Sequence, residues 1–390
     1  MNLKIYVSIC ILALGSQLFA QEIRLGAACT EQYVPLLKNK NVALVVNHTS
    51  MVGSRHIADS LLGLGVAVVR IFAPEHGFRG TGEAGELIAD GKDARTGVAV
   101  VSLYGKKKKP SPADLKGIDV VIFDIQDVGA RFYTYISTLH YVMEACAENN
   151  LPLLVLDRPN PNGHYVAGCV LQPGYQSFVG MHPVPIVHGL TVGEYATMIN
   201  GEGWLPKAAQ CSLRVVKVAG YTHKYKYTVP IKPSPNLNTQ HAIYLYPSLC
   251  LFEGARVSVG RGTPTPFAVV GSPSFTKKSF SFVPVQVQGA SLNPDFKNQK
   301  CYGYNLYKLP IESLANQNDI SLKYLLEFYK NAKEKDQFFN DFFDKLAGTD
   351  ALRKQIVAGK TEKQIKLSWQ PELKKYKAVR KKYLLYPDFE

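Results

Sequence analysis

The segment 119–139 constrains the fold most strongly, because a short apolar run, a group of acids and a helical pattern follow one another in it. Residues 120–123 are an uninterrupted apolar run rich in β-branched side chains, which is typical of a strand covered on both faces. Asp124 and Asp127 follow this run, and Gly129 precedes the helical pattern. The helical pattern places one apolar face at Tyr135, Ile136, Leu139, Val142, Met143 and Cys146. This order is typical of an open α/β sheet, in which ligands bind beyond the carboxyl ends of the strands.

Other apolar runs of strand length alternate with helical patterns on both sides of this segment. They lie at residues 41–46, 66–72, 98–103 and 153–156. The alternation predicts an α/β fold with a Rossmann-like, doubly wound parallel sheet. After residue 204 the chain becomes rich in Pro, Gly and Ser, and strand and helix patterns are mixed, so we expect a smaller α+β domain there. Its predicted elements are an edge strand at 283–287 and helices near 321–333, 338–346, 350–357 and 361–382.

The length and the first twenty residues predict the domain organisation. A chain of 390 residues with 46% hydrophobic and 19% charged residues is globular and too long for one ordinary core. Its start combines Lys4 with an apolar stretch that ends in Leu18-Phe19-Ala20, which is typical of a secretory signal peptide; a retained anchor is the alternative. We therefore predict a signal peptide at 1–20, a Rossmann-like catalytic domain at 21–204 and a smaller α+β domain at 205–390 that completes the cleft. The protein is expected to be periplasmic or secreted.

The net charge indicates which partners the protein can bind, and the cysteine spacing indicates the state of its thiols. The net charge is +14, from 45 Lys and Arg against 31 Asp and Glu. In an exported protein this charge favours anionic glycans, cell-wall polymers and lipid surfaces, and not nucleic acid. No later apolar run approaches the ~20 residues of a membrane span, so no membrane insertion is expected. Six of the seven cysteines follow the leader, none with Cys-x-x-Cys spacing, and most are expected to be buried thiols.

Polar side chains collect at the ends of the predicted strands. These side chains are Asn47, His48, Glu75, His76, Asp124, Asp127, Asp157 and Arg158. A strand needs no such residues at its exit, so their concentration at one sheet edge predicts an active cleft. No Gly-x-Gly-x-x-Gly follows the first strand and no phosphate-loop pattern is present, so no nucleotide or other cofactor is expected.

A second motif lies near residue 190. Thr191 followed by Glu194 is a capping box, which predicts a helix over about residues 192–200. Glu194 is interpreted as structural, because the backbone N–H groups of the first helical turn can bind its carboxylate. His188, just before the cap, is predicted to face the cleft.

Six short blocks carry a resemblance to a known family. They are Pro74-Glu75-His76-Gly77-Phe78-Arg79-Gly80, Asp124-Ile125-Gln126-Asp127-Val128-Gly129-Ala130-Arg131-Phe132-Tyr133-Thr134-Tyr135, Asp157-Arg158-Pro159-Asn160-Pro161-Asn162-Gly163, His188-Gly189-Leu190-Thr191, Pro233-Ser234-Pro235-Asn236 and Gly260-Arg261-Gly262-Thr263. In these blocks and their order the chain resembles the exo-β-N-acetylmuramidase family, the NamZ-like glycoside hydrolases once known only as a domain of unknown function. The resemblance covers roughly residues 24–390 and departs at Val259, where many relatives have Glu. It implies release of N-acetylmuramic acid from the non-reducing end of peptidoglycan fragments, in cell-wall turnover or muramic acid salvage.

Glycoside hydrolysis usually requires two carboxyl groups, one to protonate the leaving oxygen and one to act at the sugar carbon or on water. Glu75 is the predicted general acid, because the exit of a buried strand can remove part of its hydration. The alternative for Glu75 is a structural ion pair or a cap. Asp124 and Asp127 compete for the role of second carboxylate. His76 and His188 are predicted to orient carboxylates or to bind hydroxyls.

The substrate implied by the resemblance carries a lactyl carboxylate, which an Arg guanidinium can bind through two parallel hydrogen bonds. The predicted substrate-binding residues are Arg131, Arg158, Arg261, Tyr133, Asn160, His188 and Asn236. The alternative for the three arginines is a structural ion pair with Asp127, Asp157 or Glu253.

Two other functions fit the same residues. One is a metal-dependent hydrolase, since the strand ends contain His, Glu and Asp, but no His-Glu-x-x-His spacing is present and no metal is expected. The other is a non-catalytic protein that binds cell-wall glycans with the same cleft and basic surface.

Overall fold

The computed structural model of the protein describes residues 23–75, 77–79 and 91–390. The predicted signal peptide and His76 lie outside these residues. The strands are β1 (Asn41–Val46), β2 (Met51–Val52), β3 (Arg55–His56), β4 (Ala67–Ala73), β5 (Gly91–Lys92), β6 (Ala99–Ser102), β7 (Val120–Asp124), β8 (Leu153–Leu156), β9 (Ala167–Val170), β10 (Pro185–Val187), β11 (Leu213–Val216), β12 (Val269–Ser272), β13 (Ser281–Phe282) and β14 (Cys301–Asn305). The helices are α1 (Thr30–Tyr33), α2 (Ile57–Gly63), α3 (Pro112–Leu115), α4 (Tyr135–Glu148), α5 (Val192–Gly201), α6 (Gln240–Leu249), α7 (Ile311–Ala315), α8 (Lys323–Asn331), α9 (Phe342–Ala347), α10 (Ala351–Val357) and α11 (Glu362–Arg380).

A seven-stranded sheet, counted over the described residues, forms the centre of the first half of the chain. Its order is β11-β8-β7-β1-β4-β6-β5, and every pair is parallel except β5 with β6. Without the short edge strand β5, the strands have the 3-2-1-4-5-6 order of a Rossmann sheet when they are numbered along the chain. The predicted α/β fold with a Rossmann-like, doubly wound sheet is therefore confirmed.

The apolar runs become central strands because helices cover both faces of the sheet. All five residues of β7 are buried, and five of the six in β1 are buried. One apolar cluster packs α4 and α5 on one face, and a second packs α1 and α2 on the other. The predicted apolar stripe of α4 is buried throughout. The six described cysteines are all buried and free of disulfides.

The second half mixes helices with the antiparallel sheet β12-β14-β13. Helices α8 to α11 confirm the four that the sequence predicted. The strand predicted at 283–287 is wrong, because pairing ends with Phe282, and Val283 and Val285 are both 44% exposed. Pro284 lacks the N–H that a continued ladder would need. No helix in the described part of the chain is long and apolar enough to cross a membrane.

The two halves are not separated at residue 204. Strand β11 follows that residue and pairs with β8 at the edge of the first sheet. The last residues of the chain also return to the first half, where the Tyr386 hydroxyl donates to Asp157 Oδ2 at 2.6 Å. The predicted boundary between 21–204 and 205–390 therefore falls before the last strand of the sheet.

Arg131 ties the second half to the first. Its guanidinium is fully buried and donates to four backbone carbonyls, those of Cys169, Val184, Leu346 and Ala347, at 2.7–2.9 Å. Gly348 adopts a φ of 75°, and a Cβ there would lie 2.7 Å from the guanidinium. Arg131 therefore joins the end of α9 to the β9–β10 hairpin.

We expect Arg131→Met to lower the free energy of unfolding by about 3 kcal/mol or more, because several buried carbonyls lose their donor at about 1–3 kcal/mol each. Urea unfolding followed by circular dichroism measures this change. Arg214→Met, at an exposed position of β11, is the control and should change stability by less than about 0.5 kcal/mol. Equal stabilities of the two variants would contradict the role assigned to Arg131.

Candidate active site

The carboxyl ends of four neighbouring strands meet at one edge of the sheet. Asn47 follows β1, Glu75 follows β4, Asp127 follows β7, and Arg158 follows β8. The strand order reverses around β1, and ligands of doubly wound sheets bind at such a point. The sheet therefore places the predicted site residues where the fold favours a cleft.

Asp124 and Arg158 form a buried ion pair. Arg158 Nε donates to Asp124 Oδ1 at 2.5 Å, and its Nη2 donates to Oδ2 at 2.9 Å. The carboxylate is fully buried, and the Arg158 side chain is 4% exposed. The two groups bind each other. Asp124 therefore does not fit its predicted role as second carboxylate, and Arg158 does not fit its predicted role in binding the substrate. The pair instead joins the ends of β7 and β8.

Asp157 supports the first turn of α5. Its carboxylate accepts hydrogen bonds from Thr191 Oγ1, from the Gly193 N–H and from the Tyr386 hydroxyl at 2.6–2.8 Å. Burial raises the pKa of Asp157 to about 6. The predicted capping box is present, with Thr191 accepting from the Glu194 N–H and Glu194 accepting from the Thr191 N–H. Both acids are structural.

Glu75 lines a cavity of about 170 Å³ between the two halves. Tyr133, Tyr135, Asn236, Glu253 and Arg261 line it as well, together with the rings of Phe132, Tyr246 and Phe267. Glu75 is half-buried, and the Tyr104 hydroxyl lies near it. Burial, followed by the charge of Glu75, raises the pKa of Tyr104 to about 12. The carboxyl group is thus open to a ligand on the cavity side.

Aromatic rings form one wall of this cavity. The Tyr133 ring meets the Tyr135 ring edge to face at a centroid distance of 4.9 Å, and Tyr246 meets Phe267 at 5.0 Å. The Tyr133 hydroxyl donates to the Pro233 carbonyl at 2.9 Å, which holds the 233–239 loop over the sheet edge. His48 Nε2 bonds to the neighbouring Lys232 carbonyl at 2.8 Å. The wall offers an apolar aromatic surface against which a sugar ring can pack.

Asp127 and His188 lie side by side behind the tyrosines. His188 Nε2 is 3.8 Å from Asp127 Oδ2, which also accepts from the Gly129 N–H at 2.6 Å. The Leu190 N–H donates to His188 Nδ1, so the hydrogen-bond network places the ring proton on Nε2, toward Asp127. Asp127 Oδ1 has no hydrogen-bond partner among the described residues. His188 Nε2 likewise has no hydrogen-bond partner among the described residues, so its predicted role in orienting a carboxylate stays a prediction.

Tyr135 connects the two acidic regions. Burial raises the pKa of its hydroxyl. The negative charge of Glu75 raises it further, and the negative charge of Asp127 does so more weakly. The hydroxyl has no hydrogen-bond partner within residues 23–75, 77–79 and 91–390. The sequence assigns Tyr135 to the apolar stripe of α4, and nothing in the pattern indicates that its hydroxyl reaches the cavity.

Arg261 and Glu253 place a charge pair in the cavity. Arg261 Nε donates to Glu253 Oε1 at 2.6 Å, and the two side chains are 31% and 21% exposed. Burial alone would lower the pKa of Arg261, but the adjacent Glu253 carboxylate raises it overall. Glu253 is the one acceptor for Arg261 in the described part of the chain. The ion pair anticipated as the alternative for Arg261 is present, yet both partners also line the site.

Two predicted asparagines differ in their surroundings. Asn160 donates from Nδ2 to the Leu190 carbonyl and accepts the Asn162 N–H on Oδ1, so it builds the loop after β8 and is not free to bind a substrate. Asn236 donates from Nδ2 to the Ala290 carbonyl at 2.9 Å, and its Oδ1 has no partner among the described residues. Asn236 lines the cavity.

The structure therefore brings together Glu75, Tyr133, Asn236 and Arg261 around one cavity, with Asp127 and His188 behind its aromatic wall. The predicted residues that it places elsewhere, each in a structural contact, are Asp124, Arg158, Asn160 and Arg131. The sequence indicates Glu253 only as a partner for Arg261, because a single Glu in a turn-rich segment gives no signal of its own. Within the described residues, no three His, Cys, Asp or Glu side chains lie close enough to hold a metal ion.

We expect Asp124→Asn to destabilise the protein by about 3–5 kcal/mol, because it leaves the buried Arg158 charge without its counter-ion. Thermal and urea unfolding measure the loss. Glu334→Gln breaks the exposed pair with Arg256 and is the matched control, with an expected change below about 1 kcal/mol. An Asp124→Asn variant with wild-type stability would contradict a structural role.

Comparison with known proteins shows the family of the chain. The N-terminal domain of the exo-β-N-acetylmuramidase NamZ family matches residues 42–241, and its C-terminal domain matches residues 244–386. The chain is 38% identical over 374 residues to the peptidoglycan β-N-acetylmuramidase NamZ of Bacillus subtilis strain 168, covering 91% of this chain and 89% of that protein.

Two crystal structures of DUF1343 family proteins from Bacteroides fragilis NCTC 9343 are similar in fold. One is 48% identical with a TM-score of 0.88 and covers 94% of this chain and 99% of its own. The other is 30% identical with a TM-score of 0.81 and covers 93% and 99%. The two family domains together span most of the chain, so the protein belongs to the exo-β-N-acetylmuramidase NamZ family.

Proposed function

We propose that the protein is an exo-acting glycoside hydrolase that releases N-acetylmuramic acid from the non-reducing end of peptidoglycan fragments, in cell-wall turnover or muramic acid salvage. The observation that carries this proposal is the shared cavity, in which Glu75 and the Glu253–Arg261 pair face an aromatic wall. The hydrolysis of a glycosidic bond usually requires two carboxyl groups, and the aromatic wall gives the sugar an apolar surface to pack against. The similarity to a peptidoglycan muramidase supports the same substrate class.

In this mechanism Glu75 is the general acid. It gives its proton to the glycosidic oxygen while the bond from that oxygen to the anomeric carbon breaks. A water molecule supplies the hydroxyl that replaces the leaving group, and the proton that this water releases restores Glu75, either directly or by exchange with solvent. Half-burial at the end of β4 suits this role, because the carboxyl group faces the cavity and is also fixed by the sheet.

Glu253 is the second carboxylate in this mechanism. Glu253 lines the same cavity as Glu75. The Arg261 guanidinium, whose Nε lies 2.6 Å from Glu253 Oε1, stabilises the negative charge of Glu253. A carboxylate in this position stabilises the positive charge that develops on the sugar ring. The sequence favours Asp124 or Asp127 for this role, but Asp124 is bound to Arg158 and Asp127 lies behind the tyrosines.

Arg261 is assigned to the lactyl carboxylate of muramic acid. Its Nε is bound to Glu253, and the terminal nitrogens have no acceptor among the described residues. These nitrogens lie on a group that lines the cavity and keeps 31% of its surface exposed. A planar guanidinium can bind a carboxylate through two parallel hydrogen bonds, which a lysine does not provide.

We also propose that the protein is exported and acts in the periplasm or outside the cell. The charged start, apolar stretch and small-residue end of residues 1–20 support this location. Peptidoglycan fragments are found in the same compartments. N-terminal sequencing of the protein isolated from its native cell fraction tests this proposal. We expect the mature chain to start near Gln21.

The first test compares two disaccharides that differ only in sugar order. The mature chain should release free N-acetylmuramic acid from N-acetylmuramyl-N-acetylglucosamine and nothing from the reverse disaccharide. Glu75→Gln should lower kcat by at least about a hundredfold, because general acid catalysis contributes about 10²–10⁴ in rate. The exposed-site variant Glu334→Gln should retain wild-type activity.

The same assay separates the competing functions. Loss of activity with a chelator would indicate a metal-dependent hydrolase. Binding of the disaccharide without release of sugar would indicate a non-catalytic glycan-binding protein. Full activity of a folded Glu75→Gln variant would overturn the assignment of the general acid.

A second test addresses the lactyl group. Arg261→Lys should weaken competitive inhibition by free N-acetylmuramic acid by about tenfold or more, because a bidentate charge-assisted contact is lost. Inhibition by N-acetylglucosamine, which lacks the carboxylate, should change by less than twofold. Arg256→Lys, an exposed arginine paired with Glu334, is the control. Equal weakening for the two sugars would contradict the assignment of Arg261.

A further inference from the structure

A second cavity adjoins the one that contains Glu75. Its volume is about 440 Å³, and three loops around residues 232–238, 262–266 and 285–290 form its walls. Asn236 lines both cavities. The loop from Ser234 to Asn236 and the turn from Arg261 to Gly262 each run from the first cavity to the second. A ligand that fills the first cavity can therefore continue into the second without leaving the protein surface.

The walls of the second cavity are held together by backbone contacts. The Val285 N–H donates to the Gly262 carbonyl at 3.0 Å. Gly262 has a φ of 79°, and a Cβ at this residue would lie 2.3 Å from the Val285 carbonyl oxygen. A side chain at residue 262 would therefore force the two loops apart. The cavity is formed before any ligand binds, which lowers the entropy cost of binding.

Two asparagines in the wall leave their side-chain oxygens unpaired. Asn236 Nδ2 donates to the Ala290 carbonyl at 2.9 Å, and Asn238 Nδ2 donates to the Pro264 carbonyl at 3.0 Å. Carbonyl oxygens can only accept, so these contacts fix which end of each amide is the nitrogen. The Oδ1 atoms of both residues are buried and have no hydrogen-bond partner in the described chain. Buried polar atoms are rarely left unpaired, so both are suited to a donor on a ligand.

The remaining lining is apolar and nearly free of charge. Pro235, Pro264, Pro266, Val285 and Val287 supply this apolar lining. Lys232 is the single charged residue among the described residues that line the cavity. Apolar ring faces combined with amide acceptors match a neutral pyranose, whose C–H face is apolar and whose hydroxyl and acetamido N–H groups are donors. A carboxylate-bearing sugar would find no guanidinium here.

We propose that this second cavity binds the sugar on the leaving side of the cleaved bond, an uncharged N-acetylated hexose, with Asn238 as a specificity-determining residue. The proposal rests on the proposed function, since a leaving sugar exists only if the protein is a glycosidase. It places the cleaved bond beside Asn236, where the two cavities meet. The cleft then fixes the direction in which the substrate binds, with the acidic sugar next to Arg261 and the neutral sugar next to the prolines of the second cavity.

Substrates with different leaving groups test this proposal. N-acetylmuramyl-N-acetylglucosamine carries hydroxyl and N–H donors on its leaving sugar, whereas 4-nitrophenyl β-N-acetylmuramide carries none on its leaving group. Asn238→Ala should lower kcat/KM for the disaccharide about 5- to 10-fold, as expected for one lost hydrogen bond, and should change the aryl substrate by less than twofold. Asn318→Ala, at an exposed position outside both cavities, is the matched control and should change neither.

Each outcome is decisive. Equal losses for the two substrates, or no loss for either, would overturn the assignment of the second cavity. Wild-type protein that cleaves neither substrate would instead overturn the proposed function, so the two failures are distinguishable. Thermal unfolding verifies that Asn238→Ala is folded. If it is not, Asn238→Ser replaces it with the same expectation, because the shorter hydroxyl does not reach the position of the amide oxygen.

Discussion

The buried Arg131 guanidinium is the contact on which the arrangement of the two halves depends. In the sequence Arg131 lies between Asp127 and the two tyrosines of the cavity. Its side chain is nevertheless fully buried, and it binds four backbone carbonyls, two from each half of the chain. A cation surrounded by carbonyl dipoles needs all of them in place, since each unpaired buried group is costly. The cleft is therefore fixed by a charge that never meets a substrate.

Acids of similar chemistry at one sheet edge have different roles because their partners differ. Asp124 is neutralised by Arg158, whereas the pKa of Asp157 is raised by burial and, to a smaller extent, by the charge of Glu194, although its hydrogen bonds act in the opposite direction. Asp127 accepts from the Gly129 N–H, lies 3.8 Å from His188 Nε2 and keeps one oxygen unpaired. Glu75 and Glu253 retain access to a cavity. The number of carboxylates at the edge therefore overstates the number that can act on a ligand.

The sequence predicts the elements of this fold better than the contacts of its site. Continuous apolar runs specify the central strands, because burial on both faces leaves no other arrangement for them. The exit of β4 is correctly placed at the cleft by the same reasoning. The partners of Arg131 and Arg158 could not be predicted from the sequence. Those of Arg131 lie at least 38 residues away along the chain and Asp124 lies 34 residues from Arg158, so both sets of contacts depend on how the loops fold back. Glu253 reaches the cavity only through tertiary packing of a turn-rich segment, which has no periodic pattern to read.

The return of the last residues to the first half has a consequence for how the chain folds during synthesis. Tyr386 hydrogen-bonds to Asp157, which precedes it by 229 residues, and the Leu385 N–H donates to Glu194. The nascent Rossmann-like half therefore leaves the ribosome with one hydrogen bond to each of these two acids still unformed, although Thr191 already donates to both. These two contacts can form only after residues 385 and 386 have been made, so the half that is synthesised first is not the half that is finished first.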